Sequence, residues 1–374
     1  MKKYPVAKPY ITDEDRESVL GVLKTDYLSL GPKLGEFERK FARKLGVKFA
    51  CAVSSGTAGL HLALIASGIG EGDEVITTPF TFVASANTIV SVGAKPVFAD
   101  IDPITYNINP GQLEKKITKL TKAIMVVHIF GQPCDMDPIM AIAKKNRLLV
   151  IEDACESLNA AYRGKKAGTF GQAGVFAFYP NKQMTTGEGG MIITNNKKIY
   201  DACASLRNQG RDENDRWLEH KYFGYNYRLD EMSAALGISQ LKKLDFMISE
   251  RRKIAGWYSG LLKPYADIVQ HPGIAADNDH TWFVYVIKIK DKKISRDRLI
   301  VSLERKGICT RPYLPSVHLF SFYKKRFSCR EGDFPVSEEA SASTLALPLF
   351  VGLTKRDCQY IVNKLIKEIN NLKK

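Results

Sequence analysis

The chain has 374 residues, 45% apolar and 25% charged, an ordinary globular balance and enough length for about two domains. Lys+Arg 55 against Asp+Glu 40 leaves a formal charge of +15. The basic residues are scattered and their densest clusters (Arg251-Arg252-Lys253 and Lys324-Lys325-Arg326) are short, so the excess reads as attraction for small anions rather than a nucleic-acid arm. Seven cysteines, an odd count with no CxxC pair, argue against a disulfide framework and a zinc ribbon. Without an apolar stretch after Lys2-Lys3, or a run of membrane length, the expectation is a soluble, cytoplasmic protein with no metal, nucleic-acid or membrane partner.

In chain order, short β-branched runs predict strands over residues 75–78, 96–99, 124–127, 148–151, 175–178 and 191–194. Helices are expected between them over 58–67, 82–92 and 138–146. Several strands are apolar throughout, as strands buried on both faces should be. The βαβ rhythm implies an α/β fold with a mostly parallel sheet flanked by helices. In such sheets ligands bind beyond the carboxyl ends of the strands. A long helical stretch over 229–262, with Met232, Leu236, Leu241 and Leu244 at spacings near three and four, leads into a smaller part. There a strand is expected over 283–290, a helix after Ser295, and a closing helix over 354–372 with Thr354 as N-cap. The reading divides the chain into a large domain, 1–240, and a small C-terminal domain, 241–374.

Three segments could carry chemistry. Ser54-Ser55-Gly56-Thr57-Ala58-Gly59 places small and hydroxyl residues at a helix start, which suits a phosphate or simply an N-cap. It has neither the Walker lysine nor the GxGxxG spacing. Glu152-Asp153 follow an apolar strand where it should leave the sheet; Asp153 reads either as a helix cap or as the partner of a cationic ring nitrogen. Lys182 lies in the loop from Phe178 to Gly190, whose glycines let the backbone approach a ligand. It is either a solvated lysine or an amine poised to form a Schiff base. A phosphate cradle, an aspartate for a pyridinium and a Schiff-base lysine are together the parts that pyridoxal 5′-phosphate (PLP) requires. Phe80 and Phe82 could stack on its ring or pack in the core, the core suiting Phe80 better.

Further ordered motifs accompany these. They are Gly31-Pro32 with Phe37-Glu38, Gly72-Asp73-Glu74-Val75-Ile76, Thr81-Phe82-Val83-Ala84, His128-Ile129-Phe130-Gly131-Gln132-Pro133, Glu152-Asp153-Ala154-Cys155 and Gly224-Tyr225-Asn226-Tyr227-Arg228. Over essentially its whole length the sequence resembles the DegT/DnrJ/StrS family of PLP-dependent nucleotide-sugar aminotransferases. The resemblance implies the aspartate-aminotransferase-like (type I PLP) fold, with PLP or its pyridoxamine form as cofactor. It makes Lys182 the catalytic lysine, Asp153 the partner of the ring nitrogen and Phe82 the stacking aromatic. Gly56, Thr57 and Ala58 become the phosphate turn. Glu156 falls where Gln or His is usual, near the ring hydroxyl. Asn226 matches an asparagine that reaches the phosphate of the other subunit's cofactor in a homodimer with shared sites. Arg311 and His318 lie in a segment that helps hold the nucleotide-sugar.

The implied reaction moves an amino group from glutamate, leaving 2-oxoglutarate, to a nucleotide-linked keto sugar of the 4-keto-6-deoxyhexose kind. Its setting is amino-sugar, polysaccharide or lipopolysaccharide biosynthesis. Two departures stand out: Ala177 replaces a frequent Ser whose hydroxyl touches the phosphate, and Asn159 replaces a frequent Gly. The loss at 177 is one hydrogen bond, about 0.5–1.5 kcal/mol net. The alternatives are a PLP-dependent sugar dehydratase and a non-catalytic regulatory binding protein. Family dehydratases carry His at the lysine position, and a pure binder has no use for Lys182, Asp153 and the phosphate turn together.

Overall fold

The computed structural model describes residues 2–211 and 219–373. Its strands are β1 (Phe49–Val53), β2 (Glu74–Thr77), β3 (Lys95–Phe98), β4 (Thr121–Val127), β5 (Leu149–Asp153), β6 (Ala161–Tyr162), β7 (Lys165–Lys166), β8 (Ala173–Ala177), β9 (Gly190–Thr194), β10 (Val269–Gln270), β11 (Asn278–Asp279), β12 (Tyr285–Ile289) and β13 (Thr344–Leu347). The helices are α1 (Asp13–Leu23), α2 (Pro32–Leu45), α3 (Gly56–Ala66), α4 (Val83–Ser91), α5 (Met136–Lys145), α6 (Lys197–Arg207), α7 (Glu231–Lys242), α8 (Leu244–Leu262), α9 (Arg296–Glu304), α10 (Ser321–Phe327), α11 (Pro335–Ser343) and α12 (Lys355–Leu372).

Seven strands form the central sheet in the order β1-β9-β8-β5-β4-β2-β3. From β8 across to β3 the pairs are parallel, and only β9 runs against both of its neighbours. The near-continuous apolar strands follow from cover on both faces. Along β4, Ala123 and Met125 enter the core beneath α3 and α6, while Ile124 and Val126 enter the core with Ile139 and Ala143 of α5. That is the two-residue alternation of a strand with helices on each side. β5 extends two residues beyond the expected end. Glu152 and Asp153 pair in register with Val126 and Val127, so both carboxylates belong to the strand itself.

The long helix expected over 229–262 is two helices, broken at Lys243 (φ −100°, ψ 0°). Leu241 and Leu244 are three residues apart, so the apolar period reads straight through the break. α7 packs on α1 and α2, whereas α8 turns to the C-terminal part. There the antiparallel sheet β10-β12-β13 shares a core with α8, α9 and α12 through Tyr258, Tyr285, Leu299, Ile361 and Leu365. β6, β7 and β11 make a third, small sheet. The seven cysteines are free, and among the described residues no helix is long and apolar enough to cross a membrane.

Thr354 caps α12 as expected: its hydroxyl accepts from the Asp357 amide while Asp357 accepts from the Thr354 amide. Asp357 also accepts from Tyr4 Oη (2.9 Å) and Lys2 Nζ (2.7 Å), tying the N-terminal segment to the last helix. Burial alone pushes this carboxyl up, but the bonds from Lys2, Thr354 and Tyr4 outweigh it and hold it well below the usual range. Its stabilising contribution is therefore complete above the unfolded-chain value of about 4 and is lost as pH falls toward the folded value. Asp357→Asn should melt below the wild type at pH 7, with the gap narrowing steadily below pH ~4. Thermal unfolding from pH 7 to pH 2 checks this; a gap independent of pH contradicts it.

Candidate active site

β5 ends on two carboxylates that leave opposite faces of the sheet. Glu152 is fully buried and accepts from the amides of Gly168 (2.6 Å), Phe170 (2.6 Å) and Gly171 (2.7 Å). His128 Nε2 lies 3.0 Å from it, and the Cys134 amide donates to His128 Nδ1. With Nδ1 accepting, the ring keeps its proton on Nε2 and donates it to Glu152. This carboxylate is fully engaged in holding two loops to the strand end.

Asp153 is different. It is 6% exposed, accepts from Ser85 Oγ (2.7 Å) and the Cys155 amide (3.1 Å), and has no basic side chain within 4.0 Å among the described residues. No helix begins after it, so it caps none. Ser85 belongs to the first turn of α4, for which Phe82 is the N-cap. Phe82 is 63% exposed, whereas Phe80 is buried against Tyr106 and Phe130. The core role thus falls to Phe80.

Lys182 follows β8 in a tight turn closed by its amide on Tyr179 O. Its Nζ lies 3.9 Å from Glu156 Oε1 and 4.1 Å from the centre of the Phe283 ring. Glu156 is anchored by the Phe130 amide on Oε2 (2.8 Å). Burial pushes its carboxyl up, against the pull of Lys182 and the Phe130 amide. The Cys155 thiol is raised well above its ordinary value, first by burial and then by Asp153.

α3 opens beside these groups. Ser55 Oγ accepts from the Ala58 amide (3.0 Å), so the cap uses that donor and the amides of Gly56 and Thr57 open the helix without intrahelical partners. A Cβ on Gly56 would stand 2.8 Å from both Ala177 Cβ and Cys155 Sγ, so only glycine allows the helix to start this close to the strand ends. Position 177 accordingly faces the first turn of α3. Asn159 has φ 63°, the left-handed region glycine favours, which accounts for that departure as loop geometry.

Gly56, Asp153, Glu156 and Lys182 thus converge, with Phe82 on the adjoining helix. Asn226 is exposed, and Tyr227 O accepts from the Ser54 amide, placing this segment beside the turn before α3. Arg311 is exposed and donates to its neighbour Thr310 O. Two residues on, Tyr313 Oη accepts from Asn181 Nδ2 (3.4 Å) and its ring packs on Phe130 and Phe283. His318 does not face this site. It is fully buried, its ring is set edge-on to Phe334 and its Nε2 lies 3.0 Å from Glu338 Oε1 of α11, so it fills a slot in the C-terminal packing. Sequence reading missed Ser85 and Phe283. Ser85 is offset three residues from Phe82, as two residues on one helical face are; Phe283 is a hundred residues from Lys182 and has no local signal.

The chain belongs to the DegT/DnrJ/EryC1/StrS aminotransferase family, whose model matches residues 9–366. It is 40% identical over 364 residues to the GDP-perosamine synthase of Caulobacter vibrioides, covering 97% of each chain. It is also similar to Helicobacter pylori PseC, an aminotransferase involved in pseudoaminic acid biosynthesis (TM-score 0.91, 29% identity, 99% of this chain and 100% of that one). S. venezuelae DesV, solved in complex with a ketimine intermediate, matches with TM-score 0.91 and 30% identity over 99% of both chains. The fold is that of these aminotransferases, and the chain is an enzyme of their class.

The Glu152 arrangement predicts a large stability effect. In Glu152→Gln one carboxylate oxygen becomes an amide donor facing amide donors, at a cost of about 3 kcal/mol or more. Urea denaturation measures it; an unchanged midpoint contradicts the role given to this side chain.

Proposed function

We propose that the chain is a PLP-dependent aminotransferase that moves an amino group from glutamate to the keto group of a nucleotide-linked sugar, of the 4-keto-6-deoxyhexose kind. The observation that carries the reading is Asp153: a buried carboxylate with no basic side chain within 4.0 Å among the described residues, at the carboxyl end of a parallel strand, close enough to act with Lys182 on the same Cys155 and Glu156 groups. A protonated ring nitrogen supplies the missing charge. The residues present fit the cofactor in other respects too. An exposed flat aromatic, Phe82, adjoins Asp153 through Ser85, and two amides without intrahelical partners open α3. Family membership and the likeness to DesV over nearly the whole chain support the same chemistry.

When bound, PLP supplies an electron sink for the charge left at a substrate carbon. Asp153 holds a proton on the ring nitrogen, with Ser85 and the Cys155 amide fixing the carboxylate's orientation. Gly56 and Thr57 bind the phosphate through their amides at the positive end of α3. Ala177 adds no donor there. Lys182 would hold the cofactor and, as a free amine, would take the proton from glutamate's α-carbon and, in the sugar half-reaction, deliver one to the sugar carbon that receives the amine, as a general acid–base. Glu156 would be the partner for the ring hydroxyl, and Phe82 would supply the flat apolar surface that shields the ring from water. Arg311 and the positive excess favour the dianionic sugar nucleotide.

We infer that the enzyme works as a homodimer with shared sites and that Asn226 reaches the partner's cofactor. The exposed Asn226 and the exposed apolar side chains Leu23, Tyr27, Leu30 and Phe223 support this. Light scattering should give twice the 41.8 kDa chain mass; a monomer contradicts it.

The test of the chemistry is an absorption spectrum of the purified protein with PLP, before and after glutamate. The reading expects a visible-edge band that bleaches with glutamate and is absent in Lys182→Ala. A keto sugar nucleotide should restore it, with an amino sugar as product; a dehydrated product would favour the dehydratase instead. In Asp153→Asn the bleaching rate should fall at least about a hundredfold, roughly 2.7 kcal/mol of barrier. Near-wild-type bleaching counts against the ring-nitrogen role, and no band in the wild type favours a binding protein.

A further inference from the structure

α8 buries a single stripe in which Leu244, Met247, Ile248, Ile254, Ala255, Tyr258 and Leu262 recur at spacings of three and four. Arg251 occupies a place in that stripe. It is 3% exposed, and no carboxylate lies beside it among the described residues. An arginine in such a position is costly unless its donors are used, and burial pulls its guanidinium down to about 10. Its neighbour in sequence is unlike it: Arg252 is exposed and pairs with Asp279.

The terminal nitrogens of Arg251 donate to main-chain carbonyls of two separate segments, while its buried Nε has no partner among the described residues. Nη1 donates to Trp282 O and Phe283 O, each at 3.2 Å, and Nη2 donates to Lys182 O at 3.2 Å. A planar fork suits such a bridge, where an ammonium would not. The two segments are the ones that set the surroundings of the lysine amine, because the Phe283 ring lies 4.1 Å from Lys182 Nζ. On its far side the 281–283 segment is held to the Phe130 loop, the Phe283 amide donating to Phe130 O at 2.9 Å. The Phe130 amide in turn holds Glu156, whose Oε1 is 3.9 Å from Lys182 Nζ. The contacts close a circuit from Lys182 O through Arg251, Phe283, Phe130 and Glu156 back to Lys182 Nζ. The segment is not relaxed: Trp282, a non-glycine residue, has φ 52°. Two carbonyl bonds to the guanidinium, with the Trp282 amide on His280 Nδ1 and the Phe283 amide on Phe130 O, hold it there.

We propose that Arg251 is a positioning residue. It fixes the main chain of Lys182 against Phe283 and Glu156, so that α8 sets where the reacting amine stands. The inference rests on the assignment of Lys182 as the reacting lysine. Its test uses the full chain carrying Arg251→Lys, which keeps the charge but loses the fork, and Arg251→Met, which loses both. Turnover and KM are measured with PLP, and Lys182 is pulse-acetylated in the cofactor-free protein and quantified by peptide mass against Lys292, whose side chain is 87% exposed. We expect both variants, per folded molecule, to lose at least about tenfold in kcat with KM within about twofold. The relative labelling rate of Lys182 should change by at least about threefold as its placement loosens. Wild-type kcat and labelling in a folded variant overturn the inference, as does a fall in melting temperature with both quantities unchanged per folded molecule. If Arg251→Lys does not fold, Arg251→Met decides by the same two readouts. A wild type that forms no band with PLP overturns the lysine assignment itself, an outcome distinct from the others.

Discussion

The end of β5 is the constraint on which the site depends. A strand's two-residue period sends Glu152 and Asp153 to opposite faces, and the two carboxylates then do opposite things. Glu152 takes three loop amides and a neutral imidazole, which uses its lone pairs and fastens the His128 and 168–171 loops to the sheet. Asp153 takes one hydroxyl and one amide and has no basic side chain within 4.0 Å among the described residues. A charge buried that way is stable only if something positive completes it. Within two adjacent residues, the strand end thus holds one carboxylate surrounded by loop amides and one without a basic neighbour among the described residues.

Around that point each element brings one part. α3 starts close enough to the strand ends that position 56 has no room for a side chain, and its first amides open on the same space. α4 brings Ser85 to Asp153 and leaves Phe82 exposed beside it. The loop after β8 brings Lys182 toward Glu156, and the segment before β12 lays Phe283 beneath its amine. Chain segments far apart in sequence therefore meet within a few ångströms, and main-chain hydrogen bonds, rather than ion pairs, hold most of them.

Much of this was legible in the sequence because it is local. The apolar strands announced a sheet covered on both faces, and the Ser55–Gly56 start, the Glu152-Asp153 pair and the glycine-flanked Lys182 each carried their own signal. Thr354 was readable as a cap because capping chemistry spans only three residues. The break at Lys243 was not, since the apolar spacing passes through it unchanged and only packing against α1 and α2 distinguishes the halves. His318 sits in a segment whose motif suggested substrate, but its burial against Phe334 and Glu338 depends on contacts no local pattern encodes. Arg251 was hidden differently. Grouped with Arg252 and Lys253 it reads as surface charge, whereas on the three-and-four stripe of α8 it is the one charged residue among apolar ones.

The central claim is that the space bounded by Asp153, Gly56 and Phe82 places the cofactor on Lys182. The most direct measurement is borohydride reduction of the PLP-loaded protein followed by proteolysis and peptide mass analysis. The account predicts one stable added mass, located on the peptide containing Lys182 and lost in Lys182→Ala. An adduct on another lysine, or one spread over surface lysines with Lys182 unmodified, would contradict it.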